Sequence, residues 1–405
     1  MSAMTGLSFD FEQYSKLVRA LASLSGLFTS SSVPYVDSKF VEILYARTSG
    51  AENFAFSDMS FDAILKTGQG VGVKTFRASV TAESKKEKVA EFPKAARELG
   101  LHNLAGKDLA VAVSELRNKR VHSDIAEFNI RLTGSLYHCL IRLEDGFFVH
   151  EEPYALIDVD QLVPTNPRGK NGHAWPNTKG HLHFSDGRNA YTYNVSKNVL
   201  YKAFRLKEFT NSATIPVTIE EDPFETLLSL ATPSTGITPA PAQTKERVVL
   251  PLYSLRNGRK FVFPKSGINQ WNAGGRKRQF GEAYIPVPRA IHKIRPNFFP
   301  PRNQSFSIIL PNGTTVSAKV CQDGDKALMS DPNVDLIAWL FATLDGSAET
   351  ATHRIEAANP YSYADLVAVG KDCVEILKIS ADTYEMRMSA IGDFELFVEE
   401  NVDFV

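Results

Sequence analysis

The protein has 405 residues, of which 43% are hydrophobic and 22% are charged. These values are typical of globular proteins, so they exclude a fibrous or wholly disordered chain, and the length predicts about two or three domains. The three cysteines lie far apart, which argues against a disulfide framework or a cysteine-based zinc site and is typical of a reducing cytoplasm. The first residues lack the pattern of a secretory signal, and no apolar run reaches about 18 residues, so we expect no membrane association.

The first half of the chain combines helical and strand patterns. Helices are predicted at 11–24 and 37–47 from the spacing of apolar residues, and two more are predicted around 84–99 and 107–127. The apolar stretch 71–76 predicts an inner strand. Hairpins are predicted at 135–150 and 181–195, because each contains an Asp-Gly pair that favours a tight turn. We therefore expect an α/β or α+β first domain with a mixed sheet and flanking helices.

A proline-rich stretch follows this part of the chain. Residues 221–247 contain four prolines among Thr, Ser and Ala, a composition typical of an extended linker. We assign residues 1–220 to the first domain and 248–405 to the second. The second domain consists of short strand patterns, prolines and turns, which predict a mainly-β pseudobarrel. Because a linker carries few contacts, a fragment beginning near Arg247 is expected to fold alone.

The net charge of −1 conceals an asymmetry within the second domain. Residues 248–326 contain 13 Lys and Arg against 3 Asp and Glu, whereas residues 327–405 contain 4 against 15. A basic segment of this kind is typical of a surface that meets nucleic acid. The alternative is that the two halves fold together and neutralise each other.

Two polar segments of the second domain carry side chains suited to a DNA duplex. Segments 263–288 and 319–333 combine cations, which can pair with phosphates or guanine, with amides, which can pair bidentately with adenine. The candidate DNA-binding residues are Lys265, Asn269, Gln270, Trp271, Asn272, Arg276, Lys277, Arg278, Gln322, Asp323, Lys326, Ser330 and Asn333. We expect the two loops to embrace double-stranded DNA from both sides.

The same region resembles a known recognition domain. The stretches KSGINQWNAGGRKR, EAYIPVPRAIHK, PNFFP, LPNG and AKVCQDGDKALMSDPN resemble the C-terminal domain of NgoFVII-type restriction endonucleases. That domain is related in fold to the EcoRII effector domain and to plant B-three transcription-factor domains. The resemblance covers about residues 248–345. It implies a DNA-binding pseudobarrel whose two loops enter the major groove.

The first domain departs from the mechanism of that family. NgoFVII-type enzymes cut DNA with a phospholipase-D-like domain that requires a His-x-Lys motif. None of the nine histidines has a lysine two residues later. The recognition domain must therefore accompany another catalytic unit.

Residues 57–76 resemble a PD-(D/E)XK nuclease site, in which a carboxylate binds Mg²⁺ and a lysine orients the attacking water. The matching residues are Asp62 and, on the next strand, Lys74. One metal ligand is missing, because Gly72 stands where the family has an acidic residue. The resemblance implies Glu42, on the preceding helix, as the replacement, with Asp58 as a weaker candidate. The alternative is that neither residue has a catalytic role. In that case Glu42 lies at the solvent edge of its helix and Lys74 is a strand residue that points to solvent.

A second candidate site lies at 180–204. Two predicted strands and a predicted helix in this segment resemble a ββα-metal nuclease site. Its candidate residues are His181, His183, Asn194 and Asn198. A phosphate-contacting role is the alternative for Arg188, Lys197 and Lys202.

The sequence thus predicts a type II site-specific deoxyribonuclease. Mg²⁺ would be bound by Glu42 and Asp62, and Lys74 would position and polarise the water. The alternative is a non-catalytic DNA-binding protein that reads a specific sequence or a modified base, an alternative that Gly72 favours. The resemblance also implies a prokaryotic cytoplasmic protein, a homodimer or transient dimer on DNA, and a cognate DNA methyltransferase acting on the same site.

Overall fold

The computed structural model describes most of the chain. The described residues are 7–55, 57–79, 81–165, 175, 180–206, 212–230, 246–269, 283–331, 335–356 and 359–401. The chain forms two compact units, each assembled from separate segments. The first unit comprises Met1–Glu91, Ala105–Val111 and Ile130–Ala242, and the second comprises Phe92–Leu104, Ala112–Asn129 and Gln243–Val405.

The helices and strands of the described residues have the following bounds. The helices are α1 (Phe11–Ser23), α2 (Ser38–Ser49), α3 (Pro93–Glu98), α4 (Gly106–Phe128), α5 (Pro223–Leu230), α6 (Arg289–Ile294), α7 (Asp335–Asp345), α8 (Ala348–Glu356), α9 (Tyr363–Val369) and α10 (Asp393–Glu399). The strands of the first unit are β1 (Glu52–Asn53), β2 (Ala63–Ile64), β3 (Gly70–Arg77), β4 (Ser84–Glu91), β5 (Leu136–Leu143), β6 (Gly146–Pro153), β7 (Val163–Pro164), β8 (His181–Ser185), β9 (Ala190–Asn194), β10 (Val199–Arg205) and β11 (Ser212–Pro216). The strands of the second unit are β12 (Arg247–Pro251), β13 (Ser254–Arg256), β14 (Arg259–Phe261), β15 (Ile285–Pro286), β16 (Phe306–Ile309), β17 (Thr315–Cys321), β18 (Ala327–Ser330), β19 (Lys371–Lys378) and β20 (Thr383–Ala390).

The first unit is built around a mixed six-stranded sheet, sheet A, with the order β1-β2-β3-β5-β6-β11. Strands β3 and β5 run parallel, and the other neighbours are antiparallel. Helices α1 and α2 cover one face, where Tyr14 and Tyr45 pack with Val71 and Val73 in one buried cluster. Asp37 caps α2 by accepting from Lys39 N, and Gly50 ends the helix with φ +67°. These local signals fix the helix that carries Glu42.

A second, antiparallel sheet covers the other face of sheet A. This five-stranded sheet B has the order β4-β10-β9-β8-β7. The Phe204 ring on β10 contacts the rings of Phe76 and Tyr137 on sheet A, with centroids 5.9 and 5.1 Å apart. The first unit is therefore a helix layer, a mixed sheet and a second sheet, and the predicted mixed sheet with flanking helices is confirmed.

The second unit contains a seven-stranded sheet, sheet C, with the order β12-β19-β20-β16-β17-β18-β15. Its two outer strands, β12 and β15, contact each other, so the sheet curls into a nearly closed barrel. Of the neighbouring strand pairs in sheet C, β16 and β20 run parallel and the others run antiparallel. Helices α7 and α9 contribute to the same apolar core. The predicted mainly-β pseudobarrel is confirmed.

Three local predictions are wrong. Residues 84–91, predicted as helix, form β4, because they pair along their whole length with β10. The helix predicted at the end of 180–204 is the strand β10, which pairs on both sides. The stretch 221–247 was predicted to be extended, but it contains α5. No helix among the described residues is long and apolar enough to span a membrane.

Candidate functional site

Glu42, Asp62 and Lys74 come together in the first unit, where α2 packs on β2 and β3. Asp62 directly precedes β2, and its Oδ2 accepts a hydrogen bond from Val73 N at 2.7 Å. Lys74 follows Val73 on β3 and is half-buried. Glu42 lies on α2 with only 7% of its surface exposed. Glu42 is therefore not at the solvent edge of its helix.

The charges of these three side chains act on one another. Burial raises the pKa of Asp62, and the nearby Lys74 opposes that change. Burial also raises the pKa of Glu42, which Asp62 reinforces and both Lys39 and Lys74 oppose. Each of the three predicted residues thus lies within electrostatic range of the other two. The result is a partly buried group of two carboxylates and one lysine, in which Glu42 comes from the helix layer and Lys74 from the face of β3 toward sheet B.

Lys39 is a further member of this cluster that the sequence did not identify. It lies one helical turn before Glu42 on α2, and its Nζ is 2.8 Å from Glu42 Oε2. The same ammonium donates to the carbonyl of Ala55. The sequence does contain a signal for this contact, because residues three positions apart on a helix are neighbours on its surface. Lys39 therefore supplies positive charge at a carboxylate that the sequence assigns to a metal.

Gly72 marks the position of the missing acidic residue, and the packing leaves no space for one. A Cβ at this position would lie 2.9 Å from two ring carbons of Tyr137 and 3.3 Å from the Tyr154 ring. These two rings stack on each other with centroids 4.3 Å apart. A side chain at position 72 would have to displace both rings. Acidic groups near Lys74 must therefore come from other elements.

A pair of carboxylates suits a hydrated Mg²⁺ better than an all-protein metal cage. Mg²⁺ prefers oxygen ligands and is often held by one or two carboxylates together with water and phosphate oxygens. In the part of the chain that the structure describes, no group of three or more His, Cys, Asp and Glu side chains could hold a metal. Asp58 is exposed and adds no third ligand to the pair. Glu42 and Asp62 are thus the residues that could hold the ion.

The rival segment 180–204 does not form a ββα arrangement, because its third element is the strand β10. His181 and His183 do share one face of β8, with parallel rings 6.1 Å apart. The described residues around them form no cluster that could hold a metal. His183 Nδ1 contacts Thr192 Oγ1 at 2.9 Å, and Asn194 holds the turn by accepting from Lys197 N. These contacts are those of a folded antiparallel sheet.

The predicted phosphate contacts of this segment divide into two groups. Arg188 and Lys197 are exposed, and their role stays a prediction. Lys202 is 4% exposed and forms an ion pair with Glu152 between the two sheets. A phosphate-contacting role for Lys202 is therefore wrong for the folded protein.

The first loop of the predicted DNA interface is only partly described. Lys265 is exposed at the start of it. The Asn269 amide donates to the carbonyls of Phe263 and Tyr361, at 3.0 and 2.9 Å, and accepts from Tyr361 N at 2.8 Å. Asn269 is therefore an anchor of the loop, and its base-reading edge is occupied. The remaining predicted residues of this loop lie outside the described residues, namely Gln270, Trp271, Asn272, Arg276, Lys277 and Arg278.

The second loop connects β17 and β18 and presents a polar tip. Gln322, Asp323 and Lys326 are all exposed, and Gln322 adopts φ +67° in the turn. Asp323 forms an ion pair with Arg302 at 3.0 Å. Ser330, in contrast, is fully buried and accepts from Leu336 N, so it supports α7 and does not face a ligand. Asn333 lies outside the described residues.

One comparison with known proteins bears on this unit. Residues 244–379 match the family model of the NgoFVII C-terminal B3-like DNA-binding domain. The match includes every strand of sheet C except β20, and it includes both polar loops. It supports sequence-specific binding of double-stranded DNA by this segment, in a restriction-enzyme context. No curated protein matches the chain significantly.

Proposed function

We propose that the protein is a Mg²⁺-dependent, site-specific endonuclease that reads DNA with its second unit and cuts it with the first. The observation that carries the proposal is the convergence of Glu42, Asp62 and Lys74, which are distant in sequence, into one charged cluster. The match of residues 244–379 to a restriction-enzyme DNA-binding domain supports the same conclusion. The matched segment accounts for DNA binding alone, so cleavage in this proposal belongs to the first unit.

In this proposal the residues of the cluster have distinct roles. Glu42 and Asp62 would hold the metal ion, which would supply Lewis-acid activation of the phosphate and of water. Lys74 keeps a positive charge beside Asp62, where it stabilises negative charge that develops on the phosphate during attack. The hydrogen bond from Val73 N fixes the Asp62 carboxylate toward the strand that carries Lys74. Cleavage is then site-specific because the second unit selects the sequence.

A non-catalytic DNA-binding protein is the second candidate. It is favoured by Gly72, whose surroundings exclude an acidic side chain, and by Lys39, whose ammonium already neutralises Glu42. Such a protein would keep the charged cluster as a structural feature. It would bind DNA and leave it intact.

Substitution of Lys74 tests the proposal. Lys74→Ala should lower the rate of plasmid cleavage by about 10²–10³-fold, because it removes a charge that acts on the transition state. DNA binding, measured by fluorescence anisotropy without Mg²⁺, should stay unchanged, because recognition belongs to the second unit. Lys66→Ala, an exposed lysine of the same unit, is the matched control. Asp62→Asn and Glu42→Gln should each raise the Mg²⁺ concentration required.

Two results would contradict the proposal. Cleavage by Lys74→Ala at the wild-type rate would mean that the cluster is not the catalytic site. Failure of the wild-type protein to cut any of a panel of sequence-diverse plasmids in Mg²⁺, despite specific binding, would favour the non-catalytic protein.

A further inference from the structure

Strand β4 of sheet B places an additional carboxylate opposite sheet A. Within the antiparallel pair of β4 and β10, Glu87 lies directly across from Lys202 and Lys85 across from Phe204. Directly opposite residues point to the same face of a sheet. Lys202 reaches Glu152 of sheet A, and Phe204 contacts sheet A as well. Glu87 therefore belongs to the row of side chains that faces sheet A.

The packing of the two sheets brings this row over Lys74. Lys74 lies two residues before Phe76 on β3, so both side chains point to the same face. The Phe204 ring contacts Phe76 and also Tyr137, which is paired with Gly72. These two contacts lie on either side of the position of Lys74 along β3. Since β4 is the next strand after β10, Glu87 lies in the layer that covers Lys74.

Neither of these two side chains is held by a short contact in the described residues. Among the described residues, the Glu87 carboxylate and the Lys74 ammonium make no hydrogen bond or ion pair of ordinary length. Glu87 is half-buried, and burial raises its pKa, whereas Lys85 and Lys74 lower it. Lys85 is exposed, so solvent weakens its effect. A half-buried carboxylate without a fixed partner is costly unless a cation can reach it.

We propose that Glu87 positions Lys74, so that a carboxylate from the second sheet replaces the acidic neighbour that Gly72 cannot provide. The Lys74 side chain is long and points to the face of β3 that sheet B covers. It lies within electrostatic range of Asp62 next to β2, of Glu42 on α2 and of Glu87 on the facing sheet. Attraction from both sides holds the ammonium extended at the surface of β3 instead of letting it fold onto either carboxylate. The role of this arrangement in cleavage rests on the proposed nuclease function, whereas the Glu87–Lys74 pairing does not.

Chemical labelling of lysines tests the pairing in the full-length protein without DNA or metal. The protein and its Glu87→Gln variant are briefly treated with formaldehyde and a borohydride reductant, and methylation of each lysine is measured by peptide mass spectrometry. A lysine held by a carboxylate reacts slowly, because the reagent requires the free amine. Glu87→Gln should raise the labelling rate of Lys74 about two- to fivefold, the scale of a partly exposed ion pair. The rate at Lys66 should not change.

Two further variants separate charge from shape. Glu87→Asp keeps the charge on a shorter side chain and should restore part of the protection. Glu83→Gln removes an exposed carboxylate just before the same strand and should label as the wild type does. An unchanged rate at Lys74 in Glu87→Gln would overturn the pairing. Equal deprotection by Glu87→Gln and Glu87→Asp, or faster labelling at lysines throughout the chain, would also overturn it, because shape or folding would then be the cause.

Cleavage assays separate this inference from the proposed function. If the wild type cuts plasmid DNA, Glu87→Gln should slow single-turnover cleavage about ten- to a hundredfold at unchanged DNA affinity, as a misplaced catalytic group does. Labelling that responds in a protein that does not cut DNA would reject the nuclease and retain the pairing. Loss of cleavage in Lys74→Ala but full cleavage in Glu87→Gln would retain the nuclease and reject the role of Glu87.

Discussion

The space between sheets A and B contains several ionisable side chains, and one of them ties the stability of the first unit to pH. His150 on β6 is fully buried. Burial lowers its pKa to about 3, and His138 and Lys202 act in the same direction. Glu152 lies 4.0 Å from His150 Nε2, but its charge is already paired with Lys202. His150 is therefore neutral in the folded protein from about pH 5 upward.

A buried neutral histidine should make the first unit sensitive to acid. The unfolded chain takes up a proton near the ordinary histidine pKa of about 6.5, whereas the folded chain does not, so stability is lost as pH falls below that value. The loss between pH 7 and pH 5 should be about 2 kcal/mol from this group alone. Urea unfolding of wild type and His150→Gln at both pH values measures it. The variant should show a smaller loss, and His353→Gln, an exposed histidine, should show the full loss. Equal losses in all three proteins would contradict this assignment.

The two polar loops of the second unit illustrate how the same residue type acquires different roles on different elements. Asn269 holds its loop through two donated bonds and one accepted bond. Gln322 lies at the exposed tip between β17 and β18. Asn269→Ala should therefore lower the stability of this unit by about 1–3 kcal/mol, because it leaves partly buried backbone groups without partners. Gln322→Ala should leave the melting temperature unchanged.

Substitutions at the exposed tip between β17 and β18 should change DNA binding and not stability. Gln322→Ala should cost about 1–3 kcal/mol on the preferred site and relax the choice at one base pair. Lys326→Ala should weaken binding to all sequences and reduce the salt slope by about 0.9 if it contacts one phosphate. Anisotropy titrations over a salt series, on a duplex selected from a random pool and on its scrambled form, measure both. A uniform loss with Gln322→Ala, or a site-specific loss with Lys326→Ala, would contradict these roles.

The elements that were predicted well carry strong local signals. Helices α1 and α2 have apolar spacing and Asp caps, and both hairpins have Asp-Gly turns, so their local sequence suffices. Strand β4 was predicted as helix because its sequence, SKKEKVAE, is charged and suits a helix. It is a strand because β10 offers a full row of hydrogen bonds. Tertiary pairing overrides local preference in this case.

In the candidate site, too, only the residues with a local sequence signal could be predicted. Asp62 and Lys74 could be named from the spacing of a motif, and Glu42 from its place on the preceding helix. Glu87 could not, because it approaches Lys74 only through the stacking of two sheets. The anchoring role of Asn269 also depends on a distant partner, since Tyr361 is 92 positions away. Residues of this kind cannot be identified from spacing along one chain.

On the scale of the whole molecule, the two compact units are interleaved in sequence. Residues 92–104 and 112–129, which precede the proline-rich stretch, belong to the second unit. Within the second unit, a buried ionic cluster joins α4 to β19. Lys371 Nζ lies 2.6 Å from both Asp124 Oδ1 and Glu127 Oε2. Glu127 also accepts from Met388 N at 2.7 Å, and its carbonyl accepts from Trp339 Nε1 at 3.3 Å.

The buried charge of Lys371 is stabilised by two acidic residues of α4. Burial by itself would lower the pKa of Lys371, but Asp124 and Glu127 raise it overall, so the lysine stays charged. Burial likewise raises the pKa of Glu127, and Lys371 opposes that change. Removing the acidic partners would leave a buried, unpaired cation, which typically costs about 3–5 kcal/mol. The proline-rich stretch is therefore a poor place to cut the chain.

A fragment of residues 247–405 should accordingly be much less stable than the same unit within the full-length protein. It lacks the acidic partners of Lys371 and the Glu127 carbonyl to which Trp339 Nε1 donates. Lys371→Met should restore part of the stability, because it removes the cation and keeps a side chain of similar length. Lys378→Met, on the same strand but partly exposed, should restore none. Thermal unfolding followed by circular dichroism compares the three fragments with the full-length protein. If the wild-type fragment unfolds cooperatively at the temperature of the full-length protein and Lys371→Met has no effect, α4 is dispensable, and the sequence-based expectation of an autonomous fragment beginning near Arg247 is correct.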